Sequence, residues 1–218
     1  NFKIPLILWG ENSAYEYGGK EKYRGVRLNH NWLKKYGVTN GTTAEDWIDH
    51  DLSKESLSPY FWPSDEQQKK ADVFAIFMGH YFNWDPLITY EVSKSHGFKA
   101  ASKPITGFYE FADIDDSFLI TIHHWMKWYK FGFTRLWDNL SIEIRNDRMS
   151  REQAIKIVRE KGEELPLEEI KSFCEYLEIK EDHFYNIVLK FRNRNIWKKN
   201  KSGVWYIEDF LISNWKWS

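Results

Sequence analysis

The sequence is poor in cysteine, and that narrows the options at once. A single cysteine, Cys174, excludes an internal disulfide and cannot make a zinc site. It falls on the apolar side of a predicted helix, which reads as a buried, inert thiol rather than a nucleophile. Net charge is nearly absent too, because 31 Lys and Arg face 32 Asp and Glu and leave −1. Global charge therefore makes no case for a nucleic-acid or membrane-surface protein, and any basic site must be local. No run of about 18 apolar residues occurs, so no transmembrane helix is predicted. No signal peptide is visible, and neither repeats nor low-complexity tracts interrupt the chain. Together these absences read as a soluble, cytoplasmic protein.

What is plentiful is aromatic: 18% of the 218 residues are Phe, Trp or Tyr, 12 of them Trp. That share points to bulky core packing or to a site lined with flat rings. The length allows one large domain or two small ones. The first residue is Asn1, not Met, and an apolar burst, Ile4-Pro5-Leu6-Ile7-Leu8-Trp9, follows almost at once. Such a burst suits a buried parallel strand. With no βα unit before it, the chain is expected to be the later part of a longer polypeptide.

The chemistry concentrates in His123 to Arg135. Read as a helix, His123, Lys127 and Lys130 fall at i, i+4 and i+7 and share one face. Trp125, Trp128 and Tyr129 fall elsewhere and pack. Gly132 lets the chain turn, and Arg135 opens the next segment. An imidazole, two ammonium groups and a guanidinium thus gather at a helix end, as phosphate handling requires. The alternative is a solvated basic face on a core helix.

The first strand ends at Gly10-Glu11-Asn12, the edge where open α/β sheets bind ligands. Tyr17-Gly18-Gly19-Lys20 lacks Walker spacing and is not a phosphate loop. Helices are expected at 30–36, 43–52 (Thr43 capping, Asp46 answering), 64–71 and from about 86 to Ser95, with Ile88, Val92 and Tyr90 as the apolar stripe of the last. Val73 to Phe82 reads as a second strand. After an acidic patch, Asp113, Asp115 and Asp116, a long helix runs to Tyr129; those acids also suit its dipole. Helices follow at 134–146 and after the capping box Ser150-Arg151-Glu152-Gln153, where Ile155 and Val158 face inward. The next repeats Leu167, Ile170, Cys174 and Leu177, and the last carries Phe184, Ile187, Val188 and Phe191. The stretch from Lys190 to Lys201 holds six cations and no acid. Val204 to Ile207 reads as a short strand. The chain splits near residue 100, with strands only in the first part except for that last segment.

Several separated blocks resemble one family, the bacterial N-acetyl sugar amidotransferases. They are Gly10-Glu11-Asn12-Ser13-Ala14-Tyr15-Glu16-Tyr17-Gly18-Gly19, Tyr81-Phe82-Asn83-Trp84-Asp85, Tyr129-Lys130-Phe131-Gly132-Phe133-Thr134-Arg135, the capping box after Arg148, and Phe191-Arg192-Asn193-Arg194. They run in the family's order across nearly the whole chain. Phe133 stands where a more polar residue is expected. The resemblance implies an α/β fold, predominantly helical in this stretch. Residues 1–100 would be the end of a Rossmann-like nucleotide α-hydrolase sheet, and 101–218 an all-helical C-terminal domain. The SGGxDS pyrophosphatase loop and the Cys-rich zinc segment of full-length members are absent here and belong to a missing N-terminal half.

The implied reaction is ATP-dependent and AMP-forming. It turns an acetamido group of a UDP-linked sugar into an acetamidino group, for lipopolysaccharide O-antigen or flagellin glycan. The implied partners are ATP, Mg²⁺, a glutaminase subunit and an ammonia-channel protein; no membrane or nucleic acid is implied. Lys127, Lys130 and Arg135 are the candidates to meet pyrophosphate charge. His123 or His124 would move a proton or hold a sugar carboxylate. Glu11 would bind Mg²⁺ and Asn12 the nucleotide or acyl group, with turn and helix capping as their structural alternative. Tyr15, Tyr17 and Trp84 would stack on a base or sugar, and Gly18 and Asp85 complete the nucleotide-side set. A module of another class stays open: 165–191 as a helix-turn-helix with the basic stretch gripping phosphates, or the helical half, tested through residues 150–218, as a docking surface for the ammonia-supplying partner.

Overall fold

In the computed structural model, which describes residues 4–16, 18, 25–37, 41–113, 117–163 and 165–217, the early apolar burst forms strand β1 (Leu6–Trp9). It pairs in parallel with β2 (Phe74–Phe77), Leu6 opposite Phe74 and Trp9 opposite Phe77. Residues 26–28 bridge β2 as well: the Leu28 N–H donates to the Ala75 carbonyl at 3.0 Å and the Phe77 N–H to the Val26 carbonyl at 3.2 Å. The parallel pairing follows the sequence, but the burial does not. Every side chain of β1 is at least 40% exposed. The described residues form a largely helical protein with two small two-stranded sheets and no Rossmann-like sheet. A run of apolar residues sets strand character, while burial needs neighbours on both faces.

The predicted second strand is also shorter. Met78–Tyr81 is a helical turn, α4, with α1 (Ser13–Glu16), α2 (His30–Tyr36) and α3 (Asp65–Ala71) preceding it. Tyr81 and Phe82 are exposed, so no packing favours continued extension. The Thr43–Asp46 capping box is present but closes only a 3₁₀ turn, Ala44–Trp47. In α5 (Pro86–Ser95) two members of the expected inward stripe are overturned, since Ile88 and Val92 are 64% and 58% exposed. The third member, Tyr90, does turn inward and stacks on Phe111 with ring centroids 4.3 Å apart.

The chain falls into two compact units, Asn1–Asp85 and Pro86–Ser218. In the second, α6 (Ser117–Phe131), α7 (Arg135–Arg145), α8 (Arg151–Lys161), α9 (Leu167–Tyr176) and α10 (Glu181–Lys190) are followed by an antiparallel pair, β3 (Trp197–Lys199) and β4 (Trp205–Ile207). This unit is therefore not all-helical. Trp125, Trp128 and Tyr129 of α6 join Ile170, Cys174, Phe184 and Val188 in one core. Leu136, Leu140, Ala154 and Val158 form another, and Phe210 and Trp215 pack against both. Leu167 and Leu177, at the ends of the α9 stripe, remain exposed, as does Phe191. Burial holds the Cys174 thiol above its ordinary range, which suits an inert role.

Two features set the α6–α7 corner. Gly132 adopts φ +76°, where a Cβ would strike the Ile207 side chain. The carbonyls left open at the end of α6 are met by Asn193: its N–H donates to Tyr129 at 3.1 Å and its Nδ2 to Lys130 at 3.3 Å. That contact seats Arg192 over the rings of Tyr129, Trp197 and Trp205, at 4.5, 4.4 and 5.1 Å. One of the six cations of the basic stretch is thus buried in the fold.

Candidate functional site

The loop before α6 and the helices α6 and α7 bring together groups far apart in sequence. Asp113, at φ +56°, presents Oδ2 to three partners. The Thr106 hydroxyl donates to it at 3.2 Å and Arg135 Nε at 3.3 Å, and His124 Nδ1 lies 3.8 Å away. Thr106 Oγ1 is also 2.8 Å from His124 Nδ1. A carboxylate only accepts, so the single hydroxyl proton goes to Asp113. The hydroxyl oxygen must then accept from His124 Nδ1–H. This logic assigns the tautomer and leaves Nε2 as a lone-pair acceptor.

Burial pushes the His124 imidazole down to about 4; Asp113 pulls the other way, and Arg135, His123 and Lys127 add to the depression. The ring is therefore neutral at ordinary pH. The unfolded chain takes up this proton near pH 6.5, so between about 6.5 and 4 it holds more protons than the fold. Stability should fall as pH drops through that window. At ~1.4 kcal/mol per unit the loss is on the order of 2–3 kcal/mol. Thermal unfolding at neutral and mildly acid pH checks this: His124→Asn should lose less stability on acidification than the wild type, and equal losses would refute it.

A hollow of about 290 Å³ opens here, lined by Thr106, Thr121, His124, Trp125, Thr134 and Arg135. Two of the lining residues carry a fully enclosed side-chain polar atom with no hydrogen-bond partner among the described residues, the Thr134 hydroxyl and the Trp125 indole N–H. Thr134 is 2% exposed and Trp125 4%. Thr134 occupies the N-cap position of α7 yet makes no side-chain cap bond, although capping is the ordinary use of a threonine there. Lys161 and Glu163 with Glu169 add charges of both signs around the hollow.

The structure sorts the sequence candidates. His124, Lys127 and Arg135 gather, with Asp138 as the shared counter-ion: Lys127 pairs with it closely and Arg135 Nη1 lies 4.0 Å away. Lys127 also sits over the Phe133 ring at 4.9 Å, which gives that apolar residue a role. His123 and Lys130 are exposed, although the His123 ring lies 5.3 Å from that of His124. In the other unit Asn12 is buried and serves α1. Its Oδ1 accepts the Ala14 N–H at 3.0 Å, and its own N–H donates to Glu16 at 3.1 Å. The Tyr15 hydroxyl donates to the Gly25 carbonyl at 2.9 Å. Glu11 is exposed, Gly18 has φ +86°, Trp84 is half-buried and Asp85 buried. Tyr17, Asp115 and Asp116 lie outside the described residues.

Sequence reasoning missed Thr106, Thr134 and Asp138. Only Asp113 carried a signal, as an acid before a helix.

Mg²⁺ finds no fit. Among the described residues the only close trio of possible ligands is Asp49, His50 and Asp51, all exposed. Asp49 Oδ1 there already accepts the N–H groups of Asp51 and Leu52 at 2.8 Å each, which is turn geometry. Among the same residues no helix is long and apolar enough to cross a membrane.

Residues 103–211, half of the chain, match the family model described as LPS biosynthesis protein WbpG-like, C-terminal domain. The whole constellation around His124 lies inside the matched stretch. No curated protein matches the chain.

Proposed function

From the premise that this chain belongs to the WbpG-like family of LPS biosynthesis proteins, we propose that it is part of an ATP-dependent, AMP-forming amidotransferase. The substrate is an acetamido group on a UDP-linked sugar, and the product is the acetamidino sugar for O-antigen or flagellin glycan. The observation that carries this reading is the neutral His124, held through Thr106 by Asp113 beside Arg135 on one hollow.

An amide carbon is a poor electrophile and its oxygen a poor leaving group. In the proposed reaction the amide oxygen bonds to the α-phosphorus of ATP, and the bond from that phosphorus to pyrophosphate breaks. Ammonia then bonds to the activated carbon and loses one proton. The carbon–oxygen bond to AMP breaks, leaving the amidine. His124 Nε2 is the acceptor for the proton that ammonia loses. Arg135, fixed by Asp113 and Asp138, offsets negative charge on the departing phosphate groups. Ammonia comes from a glutaminase partner through a channel protein, and the reaction takes place in the cytoplasm.

The test uses the full-length protein with ATP, ammonium and a UDP-linked acetamido sugar. AMP and pyrophosphate should form in equal amounts, only when the sugar is present, with an imino group replacing one oxygen in the product mass. ADP as product, or AMP formation indifferent to the sugar, would overturn the reading.

A further inference from the structure

We propose that an aromatic pocket of the first unit (Asn1–Asp85) seats the nucleobase of a nucleotide, stacked among the rings of Trp47, Tyr60 and Trp62. The assignment rests on the amidotransferase reading, whose two nucleotides are ATP and the UDP-linked sugar. It adds to that reading a place where a base is held.

Short local elements build the pocket. His30, Leu33, Lys34 and Gly37 line it, and their spacing of i, i+3, i+4 and i+7 makes one wall from a single face of α2 and its C-cap. The Thr43–Asp46 box closes the Ala44–Trp47 turn, and Pro59 sits in a second 3₁₀ turn, Ser58–Tyr60. These turns carry Trp47 and Tyr60 to the pocket, where they stay 59% and 75% exposed. Trp62 is half-buried, its ring 6.1 Å from that of His30. Single exposed apolar side chains are ordinary, but exposed rings gathered around one concave hollow mark a binding site. None of the three rings is among the sequence candidates.

Size and lining select the ligand class. At about 450 Å³ the hollow has the dimensions of a small-molecule site rather than of a flat protein interface. Leu33, Leu57 and the three rings make its walls largely apolar, which suits a flat ring with two apolar faces. Every nucleobase presents such faces, and aromatic side chains hold them whatever the base. Lys34 and Glu45 offset one another in the lining, so a phosphate group gains little there. A pyranose would bring several hydroxyls to these walls. Thr43, which could meet one, already gives its hydroxyl to Asp46 at 3.2 Å.

The test is calorimetric titration of the full-length protein with UMP, AMP, ribose 5-phosphate and N-acetylglucosamine as probes. A double variant, Trp47→Ala with Tyr60→Ala, removes two rings that are mostly exposed, so the fold should stand; unchanged circular dichroism checks this. The variant should weaken at least one mononucleotide about fivefold to a hundredfold. Loss of UMP points to the UDP-linked sugar as the source of the base, and loss of AMP to ATP. Trp47→Phe with Tyr60→Phe keeps the π-faces and should recover most of that affinity. Ribose 5-phosphate and N-acetylglucosamine should bind variant and wild type alike. A loss under about fivefold for both mononucleotides overturns the assignment. So does an equal loss for ribose 5-phosphate, the mark of a phosphate site, or for N-acetylglucosamine, the mark of a sugar platform. Wild-type nucleotide affinity in a double variant that still forms AMP would sink this pocket and leave the amidotransferase reading standing. Base-dependent loss in a protein that makes no AMP would do the reverse.

Discussion

Glu143→Ala is expected to destabilise the helical unit by about 1–3 kcal/mol, the cost of leaving the buried Tyr109 hydroxyl without its acceptor, with a smaller share from Arg148, whose side chain is partly exposed. Glu143 is buried in α7. Its Oε1 accepts from the Tyr109 hydroxyl at 2.6 Å and from Arg148 Nη2 at 2.7 Å, and Oε2 accepts from Arg148 Nε at 2.8 Å. The paired bonds of the guanidinium are the strong kind. Burial, then the hydrogen bond to Glu143, hold the Tyr109 hydroxyl far above its ordinary range, so it stays a donor at any working pH. Alanine leaves that hydroxyl and the guanidinium without their shared acceptor. Glu143→Gln keeps the Tyr109 acceptor and should cost less. Urea unfolding followed by circular dichroism reads both. A loss below about 1 kcal/mol for alanine would place the triad among surface pairs of little weight.

The loss would reach the site as well. Tyr109 stacks on Phe111 at 4.9 Å, and the neighbouring Phe108 N–H donates to Asn139 Oδ1 at 3.0 Å. Gly107, at φ +69°, lets the backbone pass so close to Asn139 that any Cβ would collide with it. These contacts pin the loop carrying Thr106 and Asp113 to α7.

His124→Asn should lower kcat for AMP formation by roughly 10²–10⁴, the usual range for a lost acid–base group. The asparagine amide replaces Nδ1–H toward Thr106, so Asp113 and the loop keep their arrangement. Only the lone pair at Nε2 goes. KM for ATP should therefore hold while kcat falls. Rates within about threefold of wild type would remove His124 from the chemistry.

What the sequence disclosed was local. The Ser150–Gln153 box, the turn at Gly132 and the inward set Trp125, Trp128 and Tyr129 depend on a few neighbouring residues, and all are present. The membership of the site depends on contacts across the chain. Thr106 and His124 are 18 positions apart, and nothing in either segment announces the pairing. Helical spacing placed Lys127 and Lys130 on one face, but only Lys127 meets Asp138 of α7. The exposure of β1, Ile88 and Val92 is likewise set by what covers them, which periodicity cannot encode. The distribution of roles between Asn12 and Thr134 is a similar case. Both stand at helix starts, yet Asn12 spends its side chain on the backbone and Thr134 does not.

Arg192 has a consequence for how the molecule should behave in brine and in acid. Most arginines are held by carboxylates, so their grip weakens when counter-ions crowd in or when protons neutralise the acid. This one is held by the π-faces of Tyr129, Trp197 and Trp205. None of those rings gains charge at low pH, and burial pushes the Tyr129 hydroxyl up to about 12. The joint between the long helix and the closing hairpin should therefore respond less to those conditions than the Lys127–Asp138 and Arg135–Asp113 pairs a few residues away, although the Glu163 carboxylate also attracts the guanidinium.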